Sequence, residues 1–588
     1  MACPLPCLLV AVLVCAPALR AQETLRFRSW MGGKEVGGAV EVHRREGGAA
    51  IVERREWVEL DRMGLSIRQE MDQQARKEAD GRLAFTWSLK LAEMPLEGRA
   101  DWAPPAPGTL QVRPKGGAAK SQEVPADGVL WPGDYDARLL DAARRRQPVR
   151  LQTFNFPLGQ WTLLELHPVG PEPLPGFPDA VHFHGEAVES GTPSPMDVWI
   201  SPQAGDLRER SELGGLELWT QRAELPAPPL ADKGGFFERS IKEIPPEPFL
   251  PWLPEVTVRF EGGEAPKLPE TPEQHALGHS RWRLSRAAAP TADEARELPV
   301  AGQPSAEDAP FLAPSPLLQF NDPAFDGLLR RMDLKPGLSR WALARKVTDF
   351  VFEWIRDKDY SVGFASALEV CKTPRGDCTE HGVLAVALLR KLGVPARGVV
   401  GWLAMDRVMG LHFWTEVKLG RRWVPVDPTF DQAPASAFRI ALGQTDLADL
   451  GGVGWDAAAN AFATGRWMPE SIGTRPWGAA ASLAGDTVSA SDGTALTFAG
   501  GTWSLKGGEL RLAGPHGSFA VEACPRPAET QVKGAQRMQA PGGHAGWWDP
   551  RARVLWMDLG GRWLRFGSVT ESLAYELLKG LQVRDARP

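Results

Sequence analysis

Residues 372–430 read KTPRGDCTEHGVLAVALLRKLGVPARGVVGWLAMDRVMGLHFWTEVKLGRRWVPVDPTF, and this stretch decides the fold of the centre of the chain. A helix is predicted just after the Gly-Asp-Cys turn, because apolar residues recur on one face at 3.6 residues per turn: Leu384, Ala387, Leu388 and Leu392. Gly393 and Pro395 end this helix, since a glycine and a trailing proline are typical of a helix C-terminus.

Three short strands are predicted after the helix, at Arg397–Ala404, Leu411–Leu419 and Trp423–Asp427. The Gly420-Arg421 pair between the last two strands is typical of a tight turn. The pattern therefore predicts an antiparallel hairpin that follows the helix.

Three polar residues lie at the ends of these elements. Cys378 falls in the first turn of the helix, where free backbone N–H groups and the helix dipole favour a thiolate. His412 begins the second strand and Asp427 ends the third, so the hairpin would bring them to the same end. An imidazole between a thiol and a carboxylate is the arrangement that an activated cysteine nucleophile needs.

The segments GDCTEHG, LHFWTEV and VPVDPTF, in this order, resemble the transglutaminase-like core, a branch of the papain-like thiol enzymes. The resemblance extends over roughly 322–433, about a fifth of the chain. It implies an α+β fold with a nucleophile helix packed on an antiparallel sheet. It also implies that Cys378 is the nucleophile, His412 the base and Asp427 the orienting carboxylate. A second helix predicted at Leu338–Trp354 would pack beside the nucleophile helix.

Other residues compete for functional roles. His381 could share a helix face with Cys378, but a side chain on the same helix points along it, which favours a supporting role. Cys371 with Cys378 and His381 matches no common zinc pattern, and a regulatory disulfide between the two cysteines stays open. His182 and His184 share a strand face without a third ligand, which favours a solvated face. We therefore predict no metal and no cofactor.

The composition is that of an ordinary exported protein rather than a nucleic-acid binder. The 588 residues suggest three to four domains, and the formal charge of −6 argues against nucleic acid as a partner. Residues 1–21 are typical of a secretory signal, with cleavage expected after Ala21 or, as an alternative, Ala18. No later apolar stretch reaches the roughly 18 residues of a membrane span. These features predict a periplasmic or secreted location.

The predicted domains are an N-terminal β-rich domain at 22–225, a proline-rich β segment and linker at 226–315, a transglutaminase-like domain at 316–450 and a small C-terminal β domain at 451–588. The last contains a terminal helix at Glu571–Leu581. The Ala/Pro-rich section 286–310 is expected to make few contacts and to be the preferred site of limited proteolysis.

The resulting hypothesis is an exported thiol enzyme that acts on protein or peptide amide bonds through a thioester, with hydrolysis favoured because it needs no second substrate. Alternatives are a cross-linking transglutaminase and a non-catalytic envelope binding or scaffold module; a metal-dependent hydrolase lacks a ligand set. The backbone N–H of Cys378 is expected to be one oxyanion donor, and Trp354 is a tentative second. The oligomeric state is left open.

Overall fold

The computed structural model describes residues 22–584 except 63–64, 91–94, 105–107, 116–118, 157–158, 190–191, 214–215, 231–240, 263–264, 359–364, 449–464, 479–480, 507, 515–516 and 542. The predicted signal at 1–21 lies outside these residues, as does the predicted boundary at 450–451. In the described part no helix is long and apolar enough to cross a membrane. The architecture is α+β, with a central helical domain between strand-rich regions.

The N-terminal region forms one antiparallel-dominated sheet, because its segments alternate apolar and polar residues with a period of two, as Leu83–Lys90 shows. Within the described part its strands are β1 (Gln22–Met31), β2 (Lys34–Glu46), β3 (Ala49–Arg62), β4 (Leu65–Lys77), β5 (Leu83–Lys90), β6 (Pro95–Trp102), β7 (Thr109–Pro114), β8 (Lys120–Glu123), β9 (Gly128–Val129), β10 (Val149–Asn155), β11 (Gln160–Pro171), β12 (Val181–Glu189), β13 (Thr192–Ser201), β14 (Gly205–Leu213) and β15 (Leu216–Arg222). Their order is β8 to β1 in sequence, then β15 to β9.

The sheet curves so that its two ends approach each other. The ring of Phe85 on β5 lies 4.5 Å from that of Phe156, which follows β10. Near the same place the Gln122 amide donates a hydrogen bond of 3.0 Å to the carbonyl oxygen of Gly159. Helix α1 (Pro132–Arg145) packs on strands β10 to β13 through a buried apolar cluster. The curved sheet thus has a largely enclosed inner face.

The central domain is built around one buried helix. Its helices are α2 (Ala324–Arg331), α3 (Arg340–Trp354), α4 (Ala367–Lys372) and α5 (Cys378–Lys391), and its strands are β16 (Ile241–Glu243), β20 (Ala396–Met405), β21 (Val408–Leu419), β22 (Arg422–Val426) and β23 (Arg439–Thr445). They form a sheet in the order β16-β21-β20-β23, with β22 paired to β21. The predicted helices, strands and hairpin are confirmed, with Leu419 opposite Arg422 at the Gly420 turn.

Helix α5 lies directly on β21, because small residues allow a close approach. A Cβ atom on Gly382 would come within 2.4 Å of the Phe413 ring. Leu384 and Leu388 are fully buried in the central core. Truncating either leucine to alanine should cost about 2–5 kcal/mol, as for other buried leucines. The residues that define the predicted apolar face therefore hold α5 against the sheet.

The section 286–310 is not a free linker, and the expectation that it would make few contacts is wrong. Its backbone N–H of Val300 donates to the Gly393 carbonyl over 2.8 Å. Its carboxylates bind cations of the central domain: Glu297 with Arg340, Glu294 with Arg422, and Glu307 and Asp308 with Lys418. The section was predicted to make few contacts because its composition is poor in apolar residues. Its acidic side chains form ion pairs with the central domain instead.

Residues on both sides of the central domain in sequence complete it in space. Strands β17 (Glu255–Glu261), β18 (Gln274–Gly278) and β19 (Arg281–Ser285) form a sheet with β24 (Arg466–Ile472) and β25 (Arg475–Pro476). Strand β17 pairs with both β19 and β24. Trp467 and Ile472 are buried in the same core as α5, so residues 466–472 pack with the central domain.

The C-terminal module has two sheets around a second core. Its elements are β26 (Ser482–Ala484), β27 (Thr487–Ser489), β28 (Ala495–Phe498), β29 (Thr502–Lys506), β30 (Glu509–Gly514), β31 (Gly517–Cys524), α6 (Glu529–Val532), β32 (Gln536–Gln539), β33 (Ala545–Asp549), β34 (Val554–Asp558), β35 (Trp563–Gly567), α7 (Glu571–Gly580) and β36 (Leu581–Arg584). Phe249 and Trp252 insert into this core. The predicted terminal helix is confirmed as α7.

Candidate active site

Cys378 is the first residue of helix α5, and the turn before it is built for this position. Gly376 has φ of 138°, and a Cβ atom there would meet the Glu380 side chain at 2.4 Å. Asp377 caps the helix by accepting the backbone N–H of Thr379, and Glu380 accepts the N–H of Asp377 in return. Gly376 and Asp377 therefore shape the turn that places Cys378 at the beginning of the helix. The thiol itself is 2% exposed.

The hairpin brings His412 and Asp427 together, as the sequence predicts. Nε2 of His412 lies 2.7 Å from Oδ2 of Asp427, and both side chains are buried. Two main-chain hydrogen bonds between Asp427 and Gln432 fix the loop after β22. Because Asp427 is charged, the imidazole donates from Nε2, and Nδ1 is the nitrogen left to exchange a proton elsewhere.

Arg439 is a functional candidate that the sequence reasoning missed. Its guanidinium donates to Oδ2 of Asp427 over 2.6 Å and to the side-chain oxygen of Gln432 over 2.8 Å. Burial by itself would raise the pKa of Asp427, but the charges of His412 and Arg439 outweigh it and lower that pKa below its ordinary value. Asp427 is thus a permanent anion shared by two cationic or donor groups.

His381 is fully buried and bonded through both of its ring nitrogens. Its Nδ1 donates to the carbonyl oxygen of Asp377, and its Nε2 accepts from the ammonium of Lys358. Burial, and next the charge of Lys358, lower the pKa of His381 well below its usual value, so the ring is neutral. Burial also lowers the pKa of Lys358 to about 8. Gly382, one residue after His381, packs on the ring of Phe413, and its carbonyl accepts the Thr415 hydroxyl over 3.4 Å. The beginning of α5 therefore lies on the part of β21 that follows His412.

Glu380 is a buried carboxyl next to the candidate thiol. It accepts the backbone N–H groups of Asp377 and Ala365 over 2.9 Å each. Burial, and next the charge of Asp377, raise the pKa of Glu380 to about 8. The carboxyl is therefore largely protonated at neutral pH. Its two hydrogen bonds join the capping turn at Asp377 to the backbone at Ala365, which lies shortly before α4.

Aromatic side chains enclose the imidazole of His412. The Phe430 ring lies 5.4 Å from it and the Trp414 ring stacks at 6.2 Å. The indole N–H of Trp354 donates to the carbonyl oxygen of Val370 over 3.3 Å. Since that donor is already used, Trp354 is not a suitable second oxyanion donor.

Residues 334–428 match the family model of the transglutaminase-like superfamily. This segment is a transglutaminase-like domain. No curated protein matches the chain. Two solved structures are similar to parts of it: a candidate cysteine protease from Cytophaga hutchinsonii (17% identical, 36% of this chain and 83% of that chain covered, TM-score 0.23) and a beta-barrel-like protein with a domain of unknown function from Brucella abortus (11% identical, 36% and 100% covered, TM-score 0.30).

The remaining cysteines of the described part differ from Cys378 in position. Cys371, at the end of α4 in the transglutaminase-like domain, is unpaired with any other cysteine, and burial raises its pKa. Cys524 lies in the C-terminal module, and burial raises its pKa as well. A disulfide between Cys371 and Cys378 is absent, and Cys378 alone begins a helix of more than eight residues.

The histidine pair of the N-terminal sheet is hydrogen-bonded to one carboxylate. His182 and His184 both contact Oδ1 of Asp197, at 2.9 and 2.8 Å, and Arg210 binds the other oxygen of that carboxylate. No group of histidines, cysteines and carboxylates suited to hold a metal ion occurs in the part of the chain that the structure describes.

Proposed function

We propose that this protein is a thiol enzyme that acts on amide bonds of protein or peptide substrates, with Cys378 as nucleophile, His412 as base and Asp427 as orienting carboxylate. The observation that carries the proposal is the buried 2.7 Å hydrogen bond between His412 and Asp427. His412 lies on strand β21, and the helix that Cys378 begins packs on this strand through Gly382 and Phe413. A transglutaminase-like match over 334–428 contains all three residues.

The reaction follows from the properties of these groups. The sulfur of Cys378 attacks the amide carbonyl, and its proton passes to Nδ1 of His412. The imidazolium then protonates the leaving amine as the C–N bond breaks, which leaves a thioester on Cys378. Water, deprotonated by His412, attacks the thioester and releases a carboxylic acid and the free thiol. Asp427 stabilises the imidazolium in each step and holds its tautomer.

The helix start supplies the electrostatic part of catalysis. Cys378 is the first residue of α5, and backbone N–H groups in the first turn of a helix point out of its end, so the N–H of Cys378 is the proposed donor to the developing oxyanion. One such donor contributes about 10²–10³-fold to the rate in other acyl-transfer enzymes. Since Cys378 is 2% exposed, a substrate would reach its sulfur only after a neighbouring group moves.

We favour water over an amine as acceptor because hydrolysis needs no second substrate. The chain is further proposed to act outside the cytoplasm, since residues 1–21 have the composition of a secretory signal. N-terminal sequencing of the protein from an expressing cell's envelope or medium should begin at Gln22. An N-terminus at Met1 would contradict export by this segment.

The experiment that tests the thiol is selective alkylation followed by product analysis. Iodoacetamide at mildly acidic pH should label Cys378 in preference to Cys371 and Cys524, and a Cys371→Ala variant serves as matched control. Peptide products formed in ¹⁸O-water should carry the isotope at a new carboxyl terminus. Equal labelling of the three cysteines would contradict an activated thiol, and isopeptide products without isotope would show amine transfer.

A further inference from the structure

A large cleft separates helix α3 from the C-terminal module, with a volume of about 1190 Å³. Its inner wall is the loop that follows Asp427, including Phe430, Asp431 and Gln432. The ring of Phe430 is also the one that lies 5.4 Å from the imidazole of His412. The cleft therefore ends one side chain away from the proposed base.

The acidic side chains of this cleft are already bound. Arg526 of the C-terminal module donates to Asp349 and Glu353 of α3 and to Asp431 of the inner wall. Its guanidinium also lies 5.0 Å from the ring centre of Phe352. Arg526 thus joins the two walls and offsets part of the charge of the three carboxylates that it binds.

Two further acids are also engaged. Glu529 pairs with Arg356 at 3.2 Å, and Asp558 accepts the backbone N–H of Gly561 over 2.9 Å. Of the lining carboxylates that the structure describes, Asp558 is therefore the one without an ion pair to a cation.

Three cations of the lining are in the opposite situation. Arg345 and Lys346 on α3 and Arg537 in the C-terminal module are exposed and line the cleft. None of them makes an ion pair with any residue that the structure describes. They lie on both walls, so a ligand that spans the cleft would meet positive charge on either side.

We propose that this cleft binds the substrate, and that the substrate is a peptide segment with carboxylate side chains next to the amide that is attacked. This inference rests on the proposed function and names its substrate class. Carboxylates of a ligand would complement Arg345, Lys346 and Arg537, with which no acid of the described chain forms an ion pair. A cleft of this size accommodates a peptide. A peptide bound there would place its amide beyond Phe430, next to His412 and Cys378.

The test uses the full chain with Cys378→Ala, so that binding is measured without turnover. Three fluorescein-labelled peptides of equal length, rich in Glu, in Gln or in Lys, are titrated by fluorescence anisotropy. We expect the Glu-rich peptide to bind at least about tenfold more tightly than the Lys-rich one, with a difference that shrinks at high salt. Equal affinities, or tighter binding of the Lys-rich peptide, would overturn the inference.

Charge reversal locates the binding to the cleft. Arg345→Glu, Lys346→Glu and Arg537→Glu together should weaken binding of the Glu-rich peptide about tenfold or more, since exposed ion pairs contribute modestly one by one. The matched control reverses Arg45, Arg144 and Arg551, which are exposed outside the cleft and change the net charge equally. Similar losses in both triple variants would mean a general charge effect and contradict the cleft site.

The outcomes separate the two proposals. If Cys378 in the wild type fails to alkylate selectively while the Glu-rich peptide still binds through the cleft, the thiol-enzyme proposal fails and the binding site stands. If Cys378 alkylates and substrate turns over but the charge reversal changes neither binding nor KM, the proposed function stands and the acidic-substrate inference is wrong.

Discussion

A carboxylate held by a histidine and an arginine occurs more than once in the part of the chain that the structure describes, and the group in the transglutaminase-like domain can be compared with one in the N-terminal sheet. In the curved N-terminal sheet, Glu41 is buried between His43, at 2.5 Å, and Arg54, at 3.2 Å. In the transglutaminase-like domain, Asp427 is buried between His412 and Arg439. A histidine, a carboxylate and an arginine in contact therefore do not make an active site by themselves.

The difference lies in what surrounds each group. Residues 22–225 contain no cysteine. The N-terminal group belongs to neighbouring strands β2 and β3 of one sheet, whereas His412 lies on a strand that packs directly on helix α5 through Phe413 and Gly382. A helix N-terminus supplies N–H donors and a favourable field for a thiolate, which a sheet face does not. The following substitutions use the N-terminal group as an internal control.

The largest effect is expected from the two central histidines. His412→Ala should lower kcat by about 10³-fold or more, because it removes the group that takes the thiol proton. His381→Ala should cost far less, and His43→Ala should leave kcat per folded molecule unchanged. Steady-state kinetics on the folded fraction, quantified by circular dichroism, checks the order. A greater loss from His381→Ala than from His412→Ala would reverse the assignment of the base.

Asp427→Asn should leave a residual rate, with kcat lowered by about 10²–10⁴-fold. The amide keeps the shape but loses the charge that stabilises the imidazolium, and it can hold the wrong tautomer. The matched change in the N-terminal sheet, Glu41→Gln, should alter stability and not kcat. An Asp427→Asn enzyme with wild-type kcat would show that Asp427 does not orient His412.

Arg439→Met should shift the acid side of the pH dependence of Cys378 alkylation. The guanidinium is one of the charges that lower the pKa of Asp427, so removing it should raise that pKa towards its ordinary value. Alkylation should therefore begin to fall at a higher pH than in the wild type as the medium is acidified. Arg54→Met, the equivalent change beside Glu41, serves as control and should leave the profile in place. An unchanged profile in Arg439→Met would contradict the shared-anion description.

The smallest effect concerns stability, and it contrasts two buried carboxyls. The pKa of Glu380 is raised from 4.5 to about 8, so between about pH 5 and 8 the folded state holds a proton that the unfolded state has lost. Wild-type stability should therefore fall as pH rises through this window. The pKa of Asp427 is lowered instead, so its contribution is lost only as pH falls below the ordinary carboxyl range.

Glu380→Gln stays neutral and should flatten this slope. Urea unfolding followed by tryptophan fluorescence at pH 5, 6, 7 and 8 measures the change. Asp427→Asn is the control and should leave the slope between pH 5 and 8 as in the wild type. A Glu380→Gln variant with the full wild-type slope would assign the effect to another group.

The comparison of the two groups also shows which features of the candidate site could be predicted from the sequence. Cys378, His412 and Asp427 could be proposed from the sequence because each lies at the end of an element that local rules define: a capped helix, a strand and a hairpin. A hairpin of known turn and register brings His412 and Asp427 to one end without reference to the rest of the fold. The helical face of Leu384 and Leu388 likewise follows from periodicity alone.

Other features depended on segments that are distant along the chain. Arg439 contacts Asp427 because β23 pairs with β20, which places Arg439 opposite Leu403. No local sequence pattern predicts that pairing. Lys358 reaches His381 because the segment after α3 lies beside the Gly-Asp-Cys turn, where the N–H of Gly376 donates to the Asp357 carbonyl.

The section 286–310 shows most clearly which features the sequence predicts and which depend on residues that are distant along the chain. Its composition correctly indicated irregular backbone with little apolar surface, and 3₁₀ turns at Glu294–Arg296 and Ala309–Phe311 are its described helical elements. Whether such a segment is free or bound depends on charges elsewhere, here Arg340, Lys418 and Arg422. The sequence by itself determined the helix, the hairpin and the order of the three candidate residues, because backbone preferences and periodicity act over a few residues. Only the tertiary structure shows which buried charges contact Asp427, which aromatic ring lies beside His412 and where the cleft opens. Those contacts join residues that lie tens to hundreds of positions apart along the chain.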